Sequence, residues 1–331
     1  MTRKICSRLR KDGVAAAAPV SERWCNQKAC MSTPVEIGRE IRHVAALPNA
    51  ARKAGPFGYP RDFLENRFVY LAISPRARGL SIGVNLSPSA QCNFDCLYCD
   101  VDRTRVRRDA VIDCDVAAQE LEEMLAVVHS GQLRLHAPYA MLPEELLRLR
   151  HVALSGDGEP TESPKFLEVI ETVAHVRALG KYPFFKVVLI TNASCLDAPE
   201  VQAGLCLLTG KDEIWAKLDA GTEEYMQLVN RTSVPLQKIL ANILNTAKKR
   251  PVIIQSLFSS VDGLAPSTAE IAAYAERLRQ LRDAGANIPL VQIYSATRPR
   301  ATHRVEHLPL RTMADIAAKV RSVAGLKVEV F

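Results

Sequence analysis

The run Gln91-Cys92-Asn93-Phe94-Asp95-Cys96-Leu97-Tyr98-Cys99-Asp100 places three cysteines at a C-x3-C-x2-C spacing. Thiols this close on one segment are hard to explain by packing alone. A [4Fe–4S] cluster needs a ligand for each of its four irons, usually a thiolate at every one. Three thiolates from this run would leave one iron open to another ligand. An open iron on a reducing cluster is a place for chemistry rather than for electron storage alone.

Other readings of these residues stay open at this point. A structural zinc site needs four closed ligands; the nearest downstream histidine is His129, and Cys114 is the one further thiol nearby. Disulfides sit poorly with nine cysteines, an odd number, and with the lack of an apolar signal-peptide core. A Cys96–Cys99 redox dithiol leaves Cys92 without a task. Three unrelated buried cysteines explain neither Tyr98 nor the polar residues around it.

A second stretch, Leu154-Ser155-Gly156-Asp157-Gly158-Glu159-Pro160-Thr161, follows the apolar run Val152-Ala153-Leu154, which reads as a buried strand. Two glycines allow positive φ and close approach of the backbone to a ligand. Pro160 ends the strand, and Pro164 is suited to the first turn of a following helix. Taken alone, this is equally an ordinary strand-to-helix turn.

Together the two stretches resemble the radical S-adenosylmethionine (SAM) superfamily, whose C-x3-C-x-aromatic-C loop holds a [4Fe–4S] cluster. The resemblance implies that Cys92, Cys96 and Cys99 ligate three irons and that the fourth chelates the amino and carboxylate groups of SAM. Tyr98 stands where the family has its aromatic, beside the adenine. Gly156, Asp157, Gly158 and Glu159 match a variant of the family's Gly-Gly-Glu motif, in which carbonyls accept from the SAM ammonium and a carboxylate offsets its charge. The implied reaction is one-electron reduction of SAM, giving methionine and a 5′-deoxyadenosyl radical that takes a hydrogen atom from a substrate.

Composition agrees with a soluble globular chain. The 331 residues suffice for one large α/β domain. Apolar residues make up 48% of the chain, mean hydropathy is near zero, and no apolar run approaches the roughly 20 residues needed to span a bilayer. The formal charge of +7 permits an anionic partner such as nucleic acid without demonstrating one.

Beyond residue 80 the pattern alternates. Strands are expected at 80–86, 151–155, 185–191, 213–218, 252–258, 290–294 and 326–330. Helices are expected at 115–128, with Asp113 or Asp115 as its cap, and then from Phe166 to Val176, near 199–208, and at 236–247, 268–282 and 313–323. Such alternation predicts parallel β/α units with right-handed crossovers. With the resemblance, it gives the fold class: α/β, a partial (β/α)6 radical SAM barrel with an N-terminal β-hairpin extension. Active sites of such barrels gather at the carboxyl ends of the strands.

The strand ends therefore carry the remaining candidates. Asn192, after Ile190-Thr191, suits a turn and, by the resemblance, contacts SAM. Lys217 and Asp219 would share one strand face, and buried charges there need partners. Lys217 is the candidate for the SAM carboxylate. Asp219 would contact substrate or hold Lys217. The run Trp215-Ala216-Lys217-Leu218-Asp219-Ala220-Gly221-Thr222 resembles the wyosine-type branch, which includes a tRNA-guanosine modifying enzyme. Gln255 and Ser256 read equally as substrate contacts or as a hydrogen-bonded core pair. Val291 and Ile293 are placed by the resemblance near the adenine. Arg298, Arg300, His303, Arg304 and His307 form a basic loop, more simply a solvated surface. The same holds for the arginines of 103–108, beside which Asp100 and Asp102 would cap or pair.

Three segments are expected. Residues 1–35, basic and acid-poor, read as a disordered or mis-assigned tail. Cys6, Cys25 and Cys30 lie there, at a spacing that matches no second cluster well. Residues 36–80 form an extension whose hairpin, Phe68–Ile73 with Ser81–Leu86, would cover the barrel entrance. Residues 81–331 form the barrel. The implied function is radical SAM chemistry on an unidentified substrate, an RNA base in the manner of the wyosine relatives. The alternatives are modification or activation of a peptide or protein, and an iron–sulfur electron carrier without SAM turnover. The expected partners are SAM and an electron donor such as flavodoxin or ferredoxin, in the cytoplasm, with no membrane.

Overall fold

The apolar runs bounded by turn residues become the strands of one sheet. The structure is a computed structural model and describes residues 63–104, 108–296 and 304–331. The expectations for residues 1–35, for the early part of 36–80 and for Arg298, Arg300 and His303 lie outside the described residues.

The chain enters through β1 (Val69–Ser74), which turns back antiparallel onto β2 (Gly79–Asn85). Then β2, β3 (Leu149–Ser155), β4 (Val187–Thr191), β5 (Glu213–Lys217), β6 (Val252–Leu257), β8 (Val291–Tyr294) and β10 (Val328–Val330) pair in parallel, in that order. The skipped β7 (Ser259–Val261) forms a separate two-stranded antiparallel ribbon with β9 (Val305–His307). The result is a curled, mostly parallel half-barrel.

Helices α1 (Cys114–His129), α2 (Phe166–Ala178), α3 (Pro199–Leu207), α4 (Glu223–Asn230), α5 (Leu236–Ala247), α6 (Thr268–Asp283) and α7 (Leu310–Ala324) fill the crossovers. Their apolar stripes pack on the sheet to form the main core: Leu121 and Met124, Val169 and Val173, Ile239 and Ile243, Tyr274 and Leu278, Ile316 and Val320 are all buried. Strands covered in this way read as continuous apolar runs, which is why they were legible.

Differences from expectation are local. Asp113, not Asp115, caps α1, its carboxylate accepting from the N–H groups of Asp115 and Val116. Pro164 lies ahead of the helix it was expected to open, because a 3-10 turn at Pro160–Glu162 comes first and α2 starts at Phe166. The hairpin exists, but β2 is itself the first parallel strand, so the hairpin extends the sheet rather than forming a separate cover. Its turn reaches the far edge of the curl, where Arg78 pairs with Glu329 of β10 at 3.1 Å. From the same turn, the Arg76 guanidinium stacks 4.1 Å from the Tyr294 ring centre.

Candidate active site

The cysteine loop leaves the carboxyl end of β2 and is clamped from several sides. Asn93 anchors it. Its backbone N–H donates to Glu162 at 2.8 Å, its amide donates to Ser194 Oγ at 2.9 Å, and its side-chain oxygen accepts from Asn192 at 2.8 Å. Its carbonyl accepts from Thr232 Oγ1 at 2.9 Å. Phe94 and Leu97 point into apolar surroundings and are buried. Arg103 folds back to donate to the Phe94 carbonyl at 2.7 Å, while Asp102 caps its own turn through Thr104.

The end of α4 forms the other jaw. The N–H groups of Asp95 and Leu97 donate to the carbonyls of Asn230 (3.0 Å) and Val229 (2.9 Å). These are carbonyls that the last turn of a helix leaves without intrahelical partners. Arg231 then leaves the helix with φ 50°, and Asn230 turns its side chain toward Cys96. No element was expected between 218 and 236, so this clamp was missed. The available signal was Thr222 followed by two glutamates, an N-cap with acids in the first turn. Thr222 does cap the helix, accepting from the Tyr225 N–H.

Cys92, Cys96 and Cys99 are partly buried, and burial raises all three thiol pKa values, to about 12 for Cys92 and about 11 for Cys96. Phe94 N–H lies 3.4 Å from Cys92 Sγ, and Asn230 Nδ2 lies 3.3 Å from Cys96 Sγ. Cys114 is buried at the start of α1. Burial and Glu168 of α2 drive its thiol pKa up to about 12. Among the described residues, no three His, Cys, Asp or Glu side chains converge as a metal-ion cage.

The turn after β3 packs directly on this loop. A Cβ on Gly158 would stand 1.7 Å from the Gln91 carbonyl oxygen, and one on Gly156 (φ 149°) would stand 2.0 Å from Asn85 Oδ1. Only hydrogen fits at either place. Asn85 and Asp157 lock the turn to β2 through bonds of 3.0 and 3.1 Å. Glu159 is 3% exposed. Its carboxylate accepts from Thr161 N–H (3.1 Å), Thr161 Oγ1 (2.6 Å), Thr191 Oγ1 (2.5 Å) and Asn192 N–H (2.6 Å). Burial raises its pKa against these four donors. Asn192 makes both the turn and a loop contact: Oδ1 accepts from Ser194, and Nδ2 donates to Asn93.

Lys217 and Asp219 meet at 3.4 Å at the end of β5, as the two-residue spacing predicts. Lys217 Nζ donates to the Tyr294 hydroxyl at 3.0 Å and lies 4.9 Å from the Tyr98 ring centre. Burial acts to lower its pKa, but Asp219 and Tyr294 outweigh it and the pKa is raised, so the amine stays protonated. Asp219 accepts from the Tyr98 hydroxyl, from Asn230 Nδ2 at 3.0 Å and from the Leu257 N–H at 2.8 Å. Burial and the Asp219 charge push the Tyr98 phenol well up.

The weaker candidates separate. Ile293 is fully buried within β8, its carbonyl accepting from the Phe331 N–H at 2.9 Å. Ser256 bonds the Leu218 carbonyl and Tyr274, and Gln255 bonds Gln292 at 2.8 Å. Both are hydrogen-bonded core pairs. Arg304 lies in an exposed ion pair with Asp262 at 2.6 Å. A cavity of about 500 Å³ opens beside the loop, with Cys92, Arg103 and Glu162 in its wall.

No family model matches the chain. A UPF0026 protein of Helicobacter pylori is 26% identical over 238 residues, 70% of this chain and 67% of that protein. Streptococcus suis SuiB bound to S-adenosylmethionine superposes with a TM-score of 0.54 at 12% identity, over 77% of this chain and 52% of SuiB. This chain therefore spans about half of SuiB's length. A TYW1 structure with a lysine-pyruvate adduct gives a TM-score of 0.49 at 16% identity, over 78% of this chain and 85% of that one. This chain has the fold of SuiB, an α/β partial barrel of the kind the alternating strands and helices led us to expect.

Proposed function

We propose that this chain is a radical SAM enzyme that binds SAM and a [4Fe–4S] cluster at the cysteine loop. The observation that carries the reading is the clamp. Three thiols at the family spacing are fixed beyond the carboxyl ends of parallel strands, and a glycine turn fits the loop so closely that no side chain can intervene. Such strand ends are where barrels of this kind keep their sites. The likeness to SAM-bound SuiB supports the same ligand here.

The donor set suits a cluster chemically. The thiols share one loop, and N–H donors lie near the sulfurs of Cys92 and Cys96, as cluster thiolates commonly require. Cys92, Cys96 and Cys99 would hold it, leaving one iron for SAM. The bound pair supplies one-electron cleavage of SAM and hydrogen-atom abstraction.

The chain's own residues bind and orient. The backbone of Gly156, Asp157 and Gly158 would face the SAM ammonium. The Glu159 carboxylate is fully engaged by protein donors, so it fixes that turn against β4. Lys217, held as an ammonium, would meet the SAM carboxylate, with Asp219 setting its position and contacting substrate. Tyr98 would flank the adenine, with the buried Ile293 supporting β8 beneath it, and Asn192 would tie the ribose end to the loop. A flavodoxin- or ferredoxin-type donor in the cytoplasm would supply the electron.

For substrate, the wyosine-like run Trp215–Thr222 and the charge of +7 favour an RNA base. The deciding experiment is anaerobic reconstitution with iron and sulfide, followed by addition of SAM and reductant. Release of 5′-deoxyadenosine is expected; a zinc-loaded, sulfide-free protein would sink the reading. Binding of tRNA that weakens steeply with salt is expected of the RNA substrate, and its absence would favour a peptide.

A further inference from the structure

The inference here rests on the radical SAM reading and concerns a residue outside both sequence motifs. Asn230 closes α4 and is 2% exposed. Its Nδ2 lies 3.3 Å from Cys96 Sγ, 3.0 Å from the Tyr98 hydroxyl oxygen and 3.0 Å from Asp219 Oδ2. A primary amide has two N–H bonds, so three acceptors share two hydrogens. The backbone of the same residue accepts from Asp95 in the cysteine loop, so the amide is not free to swing away.

We propose that Asn230 is a positioning residue for Cys96 that sets how readily a cluster on this loop is reduced. The physical cause is the N–H dipole. Its positive end faces a sulfur that gains negative charge when the cluster takes an electron, and hydrogen bonds to ligand sulfurs are among the determinants of cluster potential. Removing the donor disfavours the reduced state. The same amide also touches Asp219, the partner of Lys217. A carboxylate that draws Lys217 from Asp219 leaves Asp219 a stronger competitor for the amide, so occupancy of the strand ends is felt at Cys96.

The test is a redox titration of the reconstituted full chain, followed by electron paramagnetic resonance and visible absorbance, for wild type, Asn230→Leu and Asn230→Gln. At the wild-type midpoint, Asn230→Leu should show a reduced-to-oxidised ratio about tenfold lower, which for one electron is about 59 mV. Asn230→Gln, which keeps a donor, should recover part of that shift. Superimposable wild-type and Asn230→Leu titrations, at equal iron content, overturn the proposal. If Asn230→Leu does not fold, Asn230→Ser, too short to reach the sulfur, is read in the same way. Failure of both to fold makes the residue structural and overturns the proposal too. A wild type that takes up no iron and sulfide defeats the radical SAM reading itself, a result distinct from a wild-type cluster whose potential ignores residue 230.

Discussion

The Glu159 carboxylate accepts the backbone N–H of Asn192 at 2.6 Å, joining the end of β3 to the end of β4 across the site. Its other oxygen holds Thr161 and Thr191. The acid is therefore a staple between strand ends, and the glycine turn cannot move without it.

Glu159→Gln keeps the shape but turns an NH2 group toward one of these donors. The expected loss is about 1–3 kcal/mol of folding stability, the usual penalty of an unmet buried hydrogen bond, read as a lower urea midpoint. Glu159→Ala, which abandons all the donors, should lose more. A midpoint equal to wild type for either variant would show that the staple does not hold the turn.

Cys96→Ala removes one sulfur from a loop secured elsewhere by Asn93, Phe94 and Leu97. The chain should fold with a loss of about 1 kcal/mol, comparable to one buried methylene. Iron and sulfide after reconstitution should fall to background, and 5′-deoxyadenosine release with them. Full iron content in this variant would mean that Cys96 is not a ligand.

Gly158→Ala and Gly210→Ala form a matched pair. A Cβ at 158 meets the Gln91 carbonyl at 1.7 Å, whereas one at 210 meets nothing within 4 Å. The first should cost about 1–3 kcal/mol, the scale of overpacking a filled site, and should lower cluster content by displacing the residue next to Cys92. The second should be neutral or slightly stabilising. Equal melting temperatures for the two would refute the close fit of turn and loop.

These contrasts also mark what the sequence made legible. The doubly covered strands announce themselves as apolar runs, and the cysteine spacing marks the loop. The pairing of Lys217 with Asp219 follows from strand periodicity. Helix α4 does not announce itself: at 8 residues it is too short for a repeating stripe, and it mixes Glu223, Glu224 and Gln227 with Met226 and Val229. Its contact with the loop joins residues 134 apart in sequence, Asn230 and Cys96, and no local pattern encodes such a pairing. Glu159 reads from the motif as a ligand group. Only the donors brought by Thr191 and Asn192 reveal that its oxygens are occupied.

Away from the site, His151 makes stability depend on pH. It lies in β3, 1% exposed, edge-on to Trp215 with ring centres 5.2 Å apart, and its Nδ1 has no hydrogen-bond partner among the described residues. Burial, followed by the charges of Lys186 and Arg76, lowers its pKa from 6.5 to about 3. The folded value is below the unfolded one, so the unfolded chain binds the extra proton. Stability from this residue is complete above about pH 6.5 and falls as pH drops from there toward 3. Between pH 7 and pH 4.5 the loss is about 2–3 kcal/mol, from roughly two pH units at 1.36 kcal/mol each. Asp212, bonded to Arg177 at 2.7 Å, has a lowered pKa, because Arg177 and the N–H groups of Val187 and Thr209 outweigh its burial. Its contribution is intact at pH 4.5 and fades only as pH falls below the ordinary carboxylate range near 3.9. Urea denaturation of wild type and His151→Leu at the two pH values separates them. The wild type should lose about 2–3 kcal/mol more than the variant. Parallel losses would place the titration elsewhere than at His151.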